Sequence, residues 1–385
     1  MKNFSFLVLF ICFISCQHKK TDEIIVIDMK SAKSGEIPVS SYFSSVEYIP
    51  LESTKETMFR PYAEIFVSDK DIVVIDDHQV LLFDRKTGKF NRTISQFGQG
   101  PNEYDDLMGS TYYESSNTIL VNKGNKWMEI NCETGLFQTN NKPDVSDFME
   151  YSSNSALNAL YFRSLSPVLY SAKIHDNCYA GYIHNMVGNN PVKLIFYDRE
   201  GTILAKASNY LTFENNENVM IQYPAFFYTS AKSILFKEMF NDTIFSLSEK
   251  DASPVYVFDL DGKGREYSKQ DEESNSNVYI SINSFFEIGD NFFFQYYYQS
   301  TPHVGVMNKN NLHVVISKNG YTDDFNDFLH LYPKYQNLSG EAISIISPEK
   351  IIEYFEKTTE VHTSLNHLRK IQEDDNPVIA IISPK

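Results

Sequence analysis

Tryptophan occurs once and cysteine four times in this chain of 385 residues. Cys12 and Cys16 lie near the start, so only Cys132 and Cys178 serve the body of the protein. No Cys-x-x-Cys pair is present, which excludes a thioredoxin-type redox motif and a zinc knuckle. Positive charge is also short: 34 Lys and Arg against 50 Asp and Glu give a net charge of −16. Phosphate backbones and anionic lipid surfaces are held by clustered Lys and Arg, so nucleic acid is not an expected partner. After Cys16 no apolar run reaches membrane-spanning length. Catalytic signatures are missing too. There is no Gly-x-Ser-x-Gly elbow, no Walker loop and no Gly-x-Gly-x-x-Gly after a strand, and the nine histidines include no His-x-x-x-His pair. His78, His184 and His303 would share a metal only by converging from distant parts of the chain.

What is present begins with a targeting segment over residues 1–15. Lys2 supplies a positive start, and Phe4–Ile14 is an apolar run too short to span a bilayer stably. The Ser15-Cys16 junction resembles the lipobox of bacterial lipoproteins, in which cleavage precedes a cysteine that then carries lipid; Phe13 stands where Leu is usual. An ordinary secretory signal cut nearby is the other reading. On the first reading Cys16 is lipidated, 16–23 is a polar tether, and the protein meets the membrane through its acyl chains alone. Each buried methylene then contributes about 0.8 kcal/mol. The expected address is the cell envelope, at the outer membrane on either face, with residues 24–385 as a single domain.

The body of the chain nearly repeats itself. Ile72–Phe90 and Thr118–Phe137 each read as strand, turn, strand, turn, strand, and their turn glycines, Gly88 and Gly135, lie 135 − 88 = 47 residues apart. Repeats of roughly 40–50 residues built from four short strands mark propeller blades. The first blade is predicted as Ala63–Ser68, Asp71–Asp76, Gln79–Asp84 and Lys89–Gln96. The second is Met108–Tyr113, Asn117–Asn122, Lys126–Asn131 and a short strand from Leu136. Val192–Leu204 repeats the hairpin with its turn at Asp198 and Gly201. Ser233–Lys237, Thr243–Leu247 and Val255–Leu260 form a fourth unit; Val278–Phe286, Asn291–Gln299, His303–Asn308 and His313–Lys318 form a fifth. Phe292–Tyr298 is apolar on both faces, as suits a central strand covered on both sides. Spacing is irregular, so insertions such as Asp144–Arg163 belong in loops. Cys132 and Cys178 could pair in an oxidising compartment; because they fall in different blades, free thiols are expected.

The last section changes character. Ser347-Pro348-Glu349 is a helix start, with a capping residue, Pro at the first helical position and an acid in the first turn. Ile351, Ile352 and Phe355 make one apolar stripe and Val361, Leu365, Leu368 and Ile371 another, so two short helices precede Asp374–Pro377. Val378–Ile382 then returns to strand. A last strand beside an early one closes a ring of sheets and removes a free edge. Either Ile24–Asp28 or Val46–Leu51 is expected to share that closing blade.

Four segments in order carry a family resemblance. They are Val46–Ser53 as an opening strand, Phe97–Tyr104 as a Gly-x-Gly-Pro-x-Glu-aromatic loop, Asn241–Leu247 as a mid-chain strand, and Glu373–Ile379 leading the closing strand. On these the chain resembles the six-bladed β-propeller lipoproteins of Gram-negative anaerobes, similar in shape to NHL- and TolB-like propellers. The resemblance covers nearly all of the mature chain. It implies an all-β fold of six four-stranded antiparallel blades, with a short helical insert before the C-terminal closing strand. It implies no reaction at named residues. Asn102 stands where Gly is common, which would stiffen that loop.

In a four-stranded blade the turn between strands two and three shares a rim with the link to the next blade. That geometry gathers Asp77, His78, Gln99, Asn102, Glu103, Tyr104, Lys123 and Asn125 as a candidate ligand rim. The competing reading makes Gly98, Gly100 and Pro101 shapers of a tight link, with Glu103 accepting backbone hydrogen bonds. Asp259–Gly264 has the look of a calcium loop, but an EF-hand register puts Lys263 at position five and Gln270 at twelve, so a solvated turn is expected. No metal site or cofactor is expected, with calcium the one ion worth testing. The neighbouring carboxylates Asp76/Asp77, Asp105/Asp106 and Asp323/Asp324 should point to opposite faces and make poor acid/base pairs. Trp127 should pack between sheets. Asp242-Thr243-Ile244 resembles a short O-glycosylation sequon of exported proteins in Gram-negative anaerobes, with Thr243 as the acceptor. The expectation for function is a non-catalytic binding or scaffold module for a peptide, glycan or protein partner. The alternative is a metal-dependent envelope hydrolase or lyase at the channel mouth, by fold analogy.

Overall fold

Short runs of β-branched and aromatic residues, punctuated by Asp, Asn and Gly, turn back on themselves and pair with the strand just made. The computed structural model describes residues 24–148, 168–185, 188–214, 225–229, 234–269 and 278–385. The targeting segment, Cys16, the tether and positions 149–163 of the insertion lie outside the described residues. Six sheets result. Blade 1 is Glu64–Val67, Asp71–Ile75, Gln79–Asp84 and Phe90–Gln96. Blade 2 is Asp106–Tyr113, Thr118–Lys123, Lys126–Asn131 and Phe137–Asn141. Blade 3 is Val168–His175, Cys178–Ile183, Val192–Tyr197 and Ile203–Ser208. Blade 4 is Ala225–Thr229, Ile234–Glu238, Thr243–Leu247 and Ala252–Asp259; blade 5 is Ser281–Ile288, Asn291–Tyr298, Thr301–Asn308 and Val314–Ser317. Blade 6 is Tyr335–Gln336, Ala342–Ile346, Val378–Pro384 and, from the other end of the chain, Phe43–Pro50.

Each pair of adjacent blades encloses its own apolar core, which is what makes the array a ring. Blades 6 and 1 share Ile49, Ile343, Ile379 and Ile381 with Ile65, Ile72, Leu81 and Phe83. Blades 2 and 3 share Tyr113, Leu120 and Trp127 with Tyr179, Ile195 and Tyr197, so Trp127 does pack between sheets. Blades 5 and 6 share Phe286, Phe293 and Val306 with Ile346, Val378 and Ile382. Burying one such side chain contributes about 1.5–3 kcal/mol, and no blade can bury both faces alone. Phe292–Tyr296 is buried throughout, as a covered central strand requires.

Ring closure runs through ladder pairs Ile379 with Ile49, Ala380 with Tyr48 and Ile381 with Glu47. Of the two segments expected there, the later one is present and the earlier one is elsewhere. Ile25–Asp28 lies parallel to Ala252–Asp259 on the outer edge of blade 4, and Lys33–Ser34 lies parallel to Val314–Ser317 on blade 5. A fourth strand leaves unpaired N–H and C=O groups outward, and the passing N-terminal segment satisfies them. The helical insert holds one α-helix, α1, over Pro348–Lys357, and a 3₁₀ stretch over Thr363–Lys370. Ile351, Leu365 and Leu368 are fully buried against blade 6. Ser347 sits at the cap position, but its hydroxyl meets the Glu349 carboxylate and caps no backbone N–H. Cys132 and Cys178 are buried free thiols.

Candidate functional site

The structure links part of the expected rim through hydrogen bonds. Phe97 N–H donates to the His78 carbonyl at 2.9 Å, and Lys123 Nζ donates to the carbonyls of Gly98 and Gly100 at 3.3 and 2.8 Å. Glu103 accepts from Gly100 N–H at 2.6 Å and Gln96 Nε2 at 3.0 Å, and these bonds hold its carboxyl below the usual range. A Cβ on Gly98 would fall on the Glu103 carboxylate, and one on Gly100 would come within 2.9 Å of it. Tyr104 is fully buried, its hydroxyl donating to the Asp76 carbonyl at 2.7 Å. Glu103, Tyr104 and Lys123 therefore spend their polar groups on shaping the link. Gln99, Asn102 and Asn125 are exposed beside it.

Asp77 and His78 face Arg60, a residue sequence reasoning passed over. The Arg60 guanidinium pairs with Asp77 and donates to His78 Nε2 at 2.8 Å, and the Tyr62 hydroxyl donates to Asp77 at 3.2 Å. Asp76 and Asp77 do not point apart as expected, because Asp77 is already in the turn. Their carboxyls share a hydrogen bond, and their titrations separate. Burial, then the bond to Asp77, raises Asp76; burial opposes ionisation of Asp77, but the Asp76 bond, the Tyr62 bond and the Arg60 charge together hold it low. Asp323 and Asp324 do diverge, Asp323 accepting from Tyr48 and Asp324 from Ser40, and Asp105 accepts from Gly124 N–H at 2.7 Å. Thr243 is half-buried at a strand start, its backbone N–H donating to Asn241 Oδ1 at 3.0 Å.

First strands of all six blades surround a central channel, a cavity of about 1010 Å³. Its wall is the first strand of each blade. Alternation along Glu64–Val67 sends Ile65 and Val67 into the core between blades 6 and 1, and leaves Glu64 and Phe66 on the channel. Blade 3 adds Tyr170, blade 4 adds Phe226 and Tyr228, and blade 6 adds Lys334 and Tyr335. Tyr228 lies 4.2 Å from the Phe285 ring and donates to the Asn283 carbonyl at 2.9 Å, and Phe66 packs 5.9 Å from Tyr335. Loss of hydration raises the Glu64 carboxyl, partly offset by the Lys334 charge. Toward the far end Glu114 is pushed up to about 7 by burial and by the charges of Asp69 and Glu341, although it accepts from Leu338 N–H at 2.7 Å.

On the link-rim side the channel lining includes Phe240, Tyr297, Gln299 and Ser300 of blades 4 and 5, and on the opposite side Glu114, Ser115 and Lys173. Phe240, Gln299 and Ser300 hold φ of 60°, 52° and 58°, the left-handed region that favours glycine. Such backbone is maintained where the surroundings dictate it, commonly at binding sites. Among the described residues no three His, Cys, Asp or Glu side chains gather in a group that could hold a metal. The sequence signal for the channel was available in principle: alternate residues of each first strand must face the axis. Ala225–Thr229 and Tyr335–Gln336 were not recognised as strands, so the aromatic wall stayed hidden.

Architecture and site together define a six-bladed β-propeller with an aromatic axial channel. The chain belongs to the family described as Domain of unknown function (DUF4934), whose model matches residues 24–383. No curated protein matches it. Among solved structures, it is similar to a Bacteroides fragilis protein described as exported, at 14% identity and TM-score 0.67, over 94% of this chain and 99% of that one. It is also similar to a DUF4221 family member from Bacteroides vulgatus, at 11% identity and TM-score 0.51, over 89% and 97% of the two chains.

Proposed function

We propose that this protein is a non-catalytic binding module of the cell envelope and that the axial channel is its ligand site. The observation that carries this reading is the channel wall: Phe66, Tyr170, Phe226, Tyr228 and Tyr335 surround a space of about 1010 Å³. Aromatic faces with hydroxyl and amide groups between them suit a peptide or sugar, which offer apolar surface and hydrogen bonds together. The rim cluster of Arg60, Asp77 and His78 would extend the contact surface beyond the mouth.

Export is supported by the apolar start of the chain and by the described character of the Bacteroides fragilis neighbour. No helix among the described residues is long and apolar enough to cross a membrane. Anchorage through lipid on Cys16 fits the path of the next residues. Ile25–Asp28 runs along blade 4 toward the link rim, so the chain joins the ring from the opposite rim. Residues 16–25 extend at most about 30 Å. An anchor at Cys16 would thus turn the link rim away from the membrane.

The test is a ligand-observed NMR screen of protein starting at Gln17 against short peptides and oligosaccharides. Ligands whose signals are lost on Tyr228→Ala, without chemical turnover, support the reading. Ligands unaffected by Tyr228→Ala but lost on Arg60→Ala move the site to the rim. Turnover of any of them ends the non-catalytic claim.

A further inference from the structure

Several of the less exposed carboxylates in this molecule are paired with a basic side chain. Glu129 is paired with Lys173, Glu238 with Lys193, Glu341 with Arg85 and Glu287 with Lys309. Glu103 is held by an amide and a backbone N–H. Two groups on the channel wall break this pattern. Glu64 and Lys334 are both exposed to the channel, and among the described residues neither side chain makes a hydrogen bond or an ion pair. They belong to adjacent blades, 1 and 6, each at the start of a first strand. Glu64 lies at the link-rim end of its strand, opposite Ile75, whereas Lys334, whose N–H donates to the Ile343 carbonyl at 2.8 Å, lies nearer the opposite rim. Their charges are felt mutually, yet they stand further apart than an ion pair. A negative and a positive group, held apart on the wall of one cavity, present complementary charge to a ligand that carries both signs.

The surrounding wall narrows the choice. After burial, the Glu64 charge helps hold the phenols of Tyr170, Tyr228 and Tyr335 above their ordinary value, which sets these rings around the carboxylate. Aromatic faces attract an ammonium group by their quadrupole, adding to the attraction of the carboxylate. Lys334, next to Tyr335 and Gln336 on blade 6, offers a point charge to a carboxylate. A neutral glycan would leave both charges unanswered.

We propose that the channel takes a short peptide with free ends, its α-ammonium at Glu64 and its α-carboxylate at Lys334. This rests on the channel being the ligand site and names the ligand class for it. The experiment is calorimetric titration of protein starting at Gln17 with tri-alanine, N-acetyl-tri-alanine and tri-alanine amide. Tri-alanine is expected to bind at least tenfold more tightly than either blocked form, tenfold being about 1.4 kcal/mol. Glu64→Gln should abolish the preference over the acetylated form alone, and Lys334→Met the preference over the amide alone. Both side chains are exposed and unbonded, so neither variant should disturb folding; an unchanged melting curve checks this. Equal affinity for all three peptides, or no tri-alanine binding at all, overturns the proposal. The channel reading has its own arm with chitotriose: binding that Tyr228→Ala removes keeps the channel as the site while the peptide assignment falls. Tri-alanine binding that ignores Tyr228→Ala, Glu64→Gln and Lys334→Met overturns both.

Discussion

Blades 1, 2 and 3 are each made from one continuous stretch of chain, whereas blades 4, 5 and 6 each take a strand from residues 25–50. The outer strands of the first three leave most of their residues half-buried or exposed, with strict alternation along Ile203–Ser208. The outer edges of blades 4 and 5 are covered by the N-terminal segment. The junctions differ as well. Lys173–Glu129 crosses between blades 2 and 3 and Lys193–Glu238 between blades 3 and 4, both nearly excluded from water. The junction of blades 5 and 6 is apolar and aromatic and is backed by Ile351, Leu365 and Leu368 of the insert. Among the described residues no ion pair crosses it. Local blades can form early from neighbouring strands and are then registered by charge. The closing blade must wait for both chain ends and is held by buried area, with Arg85 of blade 1 pairing with its Glu47 and Glu341 on one side. The channel is shared by the two kinds of wall, with Glu64 and Tyr170 from local blades and Tyr228 and Tyr335 from stitched ones.

Removing residues 24–51 is the most severe way to break this contrast. It takes away the fourth strand of blade 6 and opens the cores on both sides of it. The shortened protein should lose cooperative unfolding and aggregate; a soluble monomer with an unchanged melting curve would mean that the local blades suffice. Next is Lys193→Met, which strands Glu238 in a site where the two side chains are 4% and 3% exposed. A loss of about 3–5 kcal/mol is expected by denaturant titration, with Lys193→Met/Glu238→Leu recovering most of it. Lys357→Met, which breaks the exposed Glu353 pair on α1, should cost under about 0.5 kcal/mol.

The two turn glycines sharpen the comparison further. Gly88 and Gly135 hold φ of 65° and 69°, but a Cβ at 88 would fall on the Pro50 carbonyl of the closing strand, while one at 135 meets nothing within 4 Å. Gly135→Ala should cost about 1 kcal/mol from its backbone angle alone. Gly88→Ala should cost about 1–3 kcal/mol more from the clash. Equal melting temperatures for the two variants would show that the closing strand yields there. The last prediction is a pH dependence. With its carboxyl pushed up to about 7, Glu114 keeps its proton in the folded state well after the unfolded chain has lost it. Stability should therefore fall as pH rises from about 4.5 to 7, by an amount on the order of 1–2 kcal/mol, and level off above. Glu114→Gln should flatten that slope; an unchanged slope would assign it elsewhere.

Legibility followed the same division. Blades 1 and 2 were readable almost to the residue, because each is a run of hairpins whose turns carry Asp and Gly. Gly88 and Gly135 announce themselves whether or not a neighbour lies against them. The closing strand was readable from Val378–Ile382 being the last apolar run. Its partner could not be chosen between two similar segments, since Ile25–Asp28 and Phe43–Pro50 both suit a strand and only the ring geometry separates them. Tyr335–Gln336 is too short to carry a period, so the blade 6 wall of the channel had no local signal. The rim was legible for the same reason as the turns, since Gly98, Gly100 and Pro101 stand out. Their conspicuousness reflects the tight link that Glu103 and Lys123 hold. Arg60 was missed because it sits in the link from the closing blade to blade 1, with no pattern around it.

Channel against rim is decided most directly by ¹⁹F NMR of 3-fluorotyrosine-labelled protein, titrated with the tightest ligand from the peptide and oligosaccharide screen. The resonances of Tyr228 and Tyr335 should shift and saturate while Tyr104, buried under the rim loop, stays in place. Movement at Tyr104 and Tyr62 with Tyr228 and Tyr335 unchanged would contradict the assignment of the axial channel as the binding site.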